Sequence, residues 1–292
     1  PPTHPPRYET KTLRPTPSFP GVSYETNYTF EEAHVAVPER IARMAKANGA
    51  SGFVHLSSVA ASPNSRSRWA ASKWQGEQAV RRAFGERAVV IRSSQMFGPE
   101  DKLLNWFANA ARSMPVVPLV NGGEARTRPV YMGDVADAVF RVISKYDKYA
   151  GERIDVQGEK DYTYEELASF VYDITEQVPT LQGVPEEILI PLAAAWGKLP
   201  NPMINEELVK LWADDYLSDD LACPTEAPEG ATPEELKAMA GGVLTLENLG
   251  IKPTPIETIA FSYLHRFKAG GHFIHVDGYH KTASTFHQGT DL

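Results

Sequence analysis

The sequence predicts an α/β protein, a parallel sheet covered by helices on both faces and followed by a mainly helical C-terminal lobe. Three observations carry that expectation. Short apolar runs alternate with amphipathic segments of about 15 residues, the pattern of strands joined by crossover helices. The runs are continuously apolar, as strands buried on both faces require. Beyond residue 160 the pattern turns mostly helical.

The elements follow in order. Prolines 1, 2, 5, 6, 15, 17 and 20 rule out a helix at the start and favour an extended segment over 1–20. Residues 30–48 set Ala33, Val37, Ile41 and Met44 on one helical face, with Gly49 as the stop and Pro38 expected to kink or divide the helix. Gly52 to Ser58 reads as a buried strand ending in hydroxyls, Arg68 to Phe84 as a helix, and Ala88 to Arg92 as a second strand. A turn at Gly98-Pro99 leads into a helix over 103–113. Pro129 to Met132 is a short extended piece before a helix capped by Asp134, and Ile154 to Gly158 is a third strand. Thr163 and Glu166 have the spacing of a capping box. The segment 218–242 is acidic and rich in Pro, Gly and Ala, which predicts a surface loop with a short helix from Pro233. The organisation is therefore 1–20 extended, 21–160 sheet domain, 161–270 helical lobe and 271–292 polar tail.

Composition narrows the class. The chain has 292 residues, 42% of them hydrophobic and 23% charged, enough for a substantial core. A net charge of -8 argues against a nucleic-acid partner, which needs a basic field; Arg81, Arg82 and Arg87 read as a solvated helix face. Cys223 is the only cysteine, so an intrachain disulfide and a cysteine metal cluster are both excluded, in keeping with a reducing compartment such as cytosol or mitochondrial matrix. Ile188 to Trp196 is apolar but far short of the roughly 20 residues that cross a bilayer. It is expected to be a buried helix, with weak lipid proximity as the alternative. His272, His275, His280 and His287 lack metal-ligand spacing and fit a tail laid on a partner.

Three features line up along the chain: the strand ending in Leu56-Ser57-Ser58, then Trp69-Ala70-Ala71-Ser72-Lys73, then Arg92 to Pro99. Positions 69 and 73 share one helix face. This layout resembles the extended and atypical short-chain dehydrogenases, in which the helix carries Tyr-x-x-x-Lys. There the tyrosine relays a proton, the lysine lowers its pKa and holds the nicotinamide ribose, and the strand-end serine orients a carbonyl. Lys73 and Ser57 or Ser58 remain here, but the indole N–H of Trp69 only donates hydrogen bonds. The standard proton relay is lost.

The resemblance narrows further on Gly21 to Tyr28, Phe53 to Ser57, Phe97-Gly98-Pro99-Glu100-Asp101 with Asn105, Arg128 to Val135, and Asn248 to Pro255. These are similar to the family of NADPH-binding accessory subunits of mitochondrial respiratory complex I (the alpha-subcomplex subunit nine group), over roughly residues 21–268. The resemblance implies a Rossmann-type fold and a peripheral subunit on the matrix side of the inner membrane, near the quinone-binding region. It implies other complex I subunits as partners and NADPH held without turnover. Family positions near the nicotinamide map onto Ser57, Lys73, Ser93, Ser94, Met96 and Phe97.

One departure bears on the cofactor. The family opens with a strand and a glycine-rich phosphate loop, whereas residues 1–20 contain no glycine and Gly21 opens the segment expected after the fourth strand. Tight NADPH binding by these residues alone is therefore not expected. The strand-four edge is expected to need cover from a complementing N-terminal polypeptide, from further residues of a longer chain, or from a neighbouring subunit. The leading functional expectation is a non-catalytic accessory subunit supporting assembly and stability. The alternatives are an atypical NAD(P)-dependent dehydrogenase or epimerase, and an NADP(H)-sensing regulator.

Overall fold

Four parallel strands form the central sheet: β1 (Pro15–Thr16), β2 (Phe53–Ser58), β3 (Ala88–Ser93) and β8 (Arg153–Val156), in the order β1-β2-β3-β8. The structure is a computed structural model that describes residues 28–197, 202–218 and 243–268, with the backbone of β1. The expectations for the rest of residues 1–27, for the short helix from Pro233 and for the polar tail lie outside the described residues.

Alternation along the strands sends side chains to two layers. Val54, Val89, Ile91, Ile154 and Val156 pack against helix α4 (Met132–Ser144) and against Leu244, Leu246, Leu249 and Ile251. On the opposite face Phe53 and Ala88 meet Ala42 of α1 (Val37–Ala47) and Val80 and Phe84 of α2 (Arg68–Phe84). A third core joins α3 (Leu104–Ser113), strand β5 (Val116–Val120) and the helices α6 (Tyr164–Thr175), α7 (Glu186–Trp196), α8 (Glu206–Ala213) and α9 (Ile256–Leu264). This is the Rossmann-type sheet with its helical lobe. Two-residue strands complete the connections: β4 (Met96–Phe97) beside β7 (Val130–Tyr131), and β6 (Arg126–Thr127) antiparallel to β9 (Tyr162–Thr163). The short helix α5 is Tyr146–Tyr149.

Two sequence motifs do the structural tasks their spacing implies. Thr163 and Glu166 form the reciprocal capping box of α6, at 3.1 and 2.8 Å. In the Phe97-Gly-Pro-Glu-Asp block, Asp101 accepts hydrogen bonds from the amides of Gly98, Leu104 and Asn105, which caps α3. Its carboxylate also receives the Tyr263 hydroxyl of α9 at 2.5 Å, and Arg266 donates to Asn105 at 2.9 Å. The block therefore pins the end of the described chain onto the lobe.

Three expectations are corrected. Helix α1 buries Pro38 and Ala42, and the turn Glu32–Ala36 before it buries His34, rather than the expected stripe; Val37 is 38% and Met44 58% exposed. The cause is Pro38, which has no N–H for the carbonyl of residue 34, so the chain takes a wide turn over Glu32–Ala36 that rotates the face. Asp134 does not cap α4; its carboxylate accepts the Thr254 N–H (2.7 Å) and hydroxyl (2.9 Å). The lobe is mainly helical as expected and also holds strand β10 (Thr180–Val184), paired in parallel with β5. Helix α7 is buried only through Leu189 and Ala193, while Ile188, Leu192 and Trp196 are exposed.

Candidate functional site

The carboxyl ends of β2 and β3 come together in register, Ser57 opposite Arg92 and Ser58 opposite Ser93. Helix α2 crosses beside them, started by Ser67, whose hydroxyl accepts the Ala70 amide and donates to Glu207 at 2.7 Å. One turn on, the ammonium of Lys73 lies 5.5 Å from the centre of the Trp69 ring. The lysine meets the face of an indole, an attractive cation–π contact, and the indole N–H itself only donates hydrogen bonds.

Around this pair the sheet–helix interface turns from apolar to polar. His34 stacks on Phe30 (5.6 Å) and meets Trp69 edge-on (6.1 Å). The Ser72 hydroxyl donates to the Trp69 carbonyl at 2.7 Å, so it accepts from His34 Nδ1 at 2.8 Å, and the proton of this imidazole sits on Nδ1. Burial, then Lys73 and then His55 lower the His34 pKa to about 3, and burial with Lys73 does the same to His55. Both rings are neutral at any ordinary pH. Burial lowers the Lys73 pKa to about 8 against the opposing pull of Glu77. Glu77 and Arg92 form a buried two-pronged ion pair at 2.8 and 2.7 Å. Gly76 lies between them and α1: a Cβ there would meet the His34 carbonyl at 2.0 Å.

The expected site residues divide into two groups. Ser57 and Ser94 are buried with hydroxyls that have no hydrogen-bond partner among the described residues, and Lys73 is 4% exposed. Ser93 donates to the Ser57 carbonyl at 3.4 Å. Met96 packs on the α4 side of the sheet, and Phe97 is a core residue 5.7 Å from the Tyr131 ring. Ser58 holds a partner that sequence reasoning missed, the hydroxyl of Tyr216 at 2.5 Å. That contact spans 158 residues and leaves no local signal. His34, His55 and Glu77 were missed too, although Glu77 follows Lys73 by one helical turn. Among the described residues no group of three His, Cys, Asp or Glu side chains is placed to hold a metal ion.

Residues 16–156 match the NAD dependent epimerase/dehydratase family. The chain is 30% identical over 255 residues to the NADH-ubiquinone oxidoreductase 40 kDa subunit, mitochondrial, of Neurospora crassa, covering 87% of this chain and 61% of that protein. It is 31% identical over 251 residues to NADH dehydrogenase [ubiquinone] 1 alpha subcomplex subunit 9, mitochondrial, of Mus musculus, covering 85% and 60%. The chain thus spans about three fifths of the length of these relatives. A structure of UDP-glucuronic acid 4-epimerase from Bacillus cereus, in complex with UDP-glucuronic acid and NAD, superposes over 84% of this chain and 71% of that one. Its TM-score is 0.52 at 11% identity, a likeness of fold.

Proposed function

From a chain whose first half matches the NAD dependent epimerase/dehydratase family, and which over most of its length resembles subunits of mitochondrial complex I, we propose a non-catalytic accessory subunit of that complex. The observation that carries the reading is the Trp69–Lys73 pair. The lysine is kept in its family place, but its neighbour has no proton to relay, and Ser58 is already engaged by Tyr216. What remains is a scaffold whose surfaces serve assembly and stability. We place it peripherally on the matrix side of the inner membrane, beside other complex I subunits near the quinone-binding region. Among the described residues no helix is long and apolar enough to cross a membrane. The exposed Ile188, Leu192 and Trp196 of α7 support proximity to lipid.

A nicotinamide nucleotide fits this chain at one end only. The buried hydroxyls of Ser57 and Ser94, without partners among the described residues, suit the polar edge of a nicotinamide ribose. Such a nucleotide would supply hydride chemistry in the family's enzymes. Among the described residues no glycine-rich turn opens a helix after a strand, so these residues offer no cradle for a pyrophosphate. We propose that NADPH is bound weakly by these residues alone. The same two hydroxyls favour, as second reading, a regulator that senses NADP(H) without turnover.

The test is incorporation. A tagged chain expressed in mitochondria should migrate with NADH:ubiquinone oxidoreductase activity on native gels, be released by alkaline carbonate, and resist protease until the inner membrane is opened. A free monomer in every fraction, or turnover of a carbonyl substrate with NAD(P)H, overturns the reading.

A further inference from the structure

We propose that residues 272–276, which lie outside the described residues, add to the outer edge of β10 as a third parallel strand of the lobe. The inference is independent of the accessory-subunit reading.

It starts from β10. Among the described residues its one strand neighbour is β5, and the two run parallel from Thr180 beside Val116 to Val184 beside Val120. The Thr180 amide donates to the Pro115 carbonyl, so the backbone groups of Thr180, Gln182 and Val184 face β5. Alternation turns those of Leu181 and Gly183 outward, where the Gly183 carbonyl accepts the side-chain amide of neighbouring Gln182 at 3.2 Å. Val178, just ahead of the strand, is 97% exposed. An edge of this kind is a template for another strand.

Shortness and the flanking Pro179 and Pro185 would also guard an edge left to solvent, so the path of the chain decides. Lys268, the last described residue, is in extended conformation, and its ammonium bonds Glu176, 92 residues earlier. Beside it the Gln177 side chain donates to the Phe267 carbonyl at 3.1 Å. Residue 272 is as far from Lys268 as Thr180 is from Glu176, so 272–276 can lie along 180–184. Two stretches leaving one point lie side by side only in parallel, the sense already set by β5 and β10. The run His272-Phe273-Ile274-His275-Val276 has the aromatic and β-branched content of a strand, bounded by Gly270-Gly271 and Asp277-Gly278. Charge agrees: residues 161–197 carry seven carboxylates and no Lys, Arg or His, whereas 272–276 bring two His and no acid. In this register the Ile274 amide meets the Leu181 carbonyl, the Gly183 amide meets the Ile274 carbonyl, and the His275 N–H faces away.

The test is hydrogen exchange of the Leu181 and Gly183 amides in the full chain, read by NMR. They are expected to exchange at least ~tenfold more slowly than in Ile274→Pro, which removes the bonding N–H. His275→Pro, whose N–H faces away, should keep the slow exchange. Fast exchange in the parent chain, or protection indifferent to Ile274→Pro, overturns the proposal. Cross-linking gives a second readout. With Cys223→Ser in place, Gln182→Cys and Ile274→Cys, on backbones ~5 Å apart, should close a disulfide within one molecule. Gln182→Cys with His275→Cys, on opposite faces, should close roughly tenfold less. Equal yields from the two pairs, or a disulfide formed only between molecules, overturn it, the second by assigning the edge to another copy.

Discussion

Replacing Lys73 with methionine should make the folded chain more stable at neutral pH. The ammonium is 4% exposed, and burial lowers its pKa from 10.5 to about 8. At ~1.36 kcal/mol per pH unit, that drop places a penalty of about 3 kcal/mol on the charged form in the fold. The contact with the Trp69 ring returns about 1–2 kcal/mol. Glu77 is not left unpaired by the change, because Arg92 holds both its oxygens. Lys73→Met should therefore gain about 1–2 kcal/mol at pH 7. The pH dependence tests the cause. Below about pH 8 the lysine is charged in both folded and unfolded chains, and the full penalty applies. Between 8 and 10.5 the folded chain gives up the proton while the unfolded chain keeps it, so the parent recovers stability as pH rises. At pH 10 about a quarter of the penalty remains. Urea unfolding of parent and variant at both pH values reads the gap directly. A variant less stable than the parent at pH 7, or a gap unchanged at pH 10, refutes the reasoning.

Other substitutions probe the same neighbourhood. Gly76→Ala drives a methyl into the His34 carbonyl and should cost about 1–3 kcal/mol by denaturant unfolding, with α1 losing amide protection first. Arg92→Leu strands Glu77 in the interior and should cost about 3–5 kcal/mol, whereas the double Glu77→Leu, Arg92→Leu variant should recover most of that loss; a double variant as damaged as the single one contradicts the ion-pair account. Tyr263→Phe removes the hydroxyl from Asp101 and should cost about 1–3 kcal/mol, seen as faster hydrogen exchange across 256–267. Trp69→Tyr should fold and still show no NAD(P)H turnover, since Tyr216 keeps Ser58; appreciable turnover would revive the dehydrogenase reading.

What could be read from the sequence was what is local. The apolar runs at 53–58, 88–93 and 153–156 became strands because buried parallel strands have no other pattern, and Thr163 with Glu166 capped a helix within four residues. Strand β5 was hidden by Pro118 and β10 by its exposed Thr180, Gln182 and Gly183, both being tolerable in a short pair of strands. The face of α1 was misjudged because one proline shifts the turn geometry and with it every later side chain. The Trp69–Lys73 pair was legible because one helical turn separates its members. The partner of Ser58 was not, since Tyr216 arrives from another lobe by a path no periodicity encodes. Asp134 failed for the same reason: its binding partner, Thr254, lies 120 residues on.

That last tie has a consequence for how the molecule is made. Thr254 on Asp134, Leu244 beside Ile154, Tyr263 on Asp101 and Arg266 on Asn105 all close contacts from the final stretch of described chain onto much earlier elements. The sheet core needs Leu244 to Ile251, and the lobe core needs Ile256 to Leu264. During synthesis from the amino end, the lobe core stays open until residue 264 has left the ribosome, and the sheet core until residue 251 has. Until then the nascent chain carries two open apolar faces at once, the condition in which chains of this topology associate wrongly or are held by chaperones.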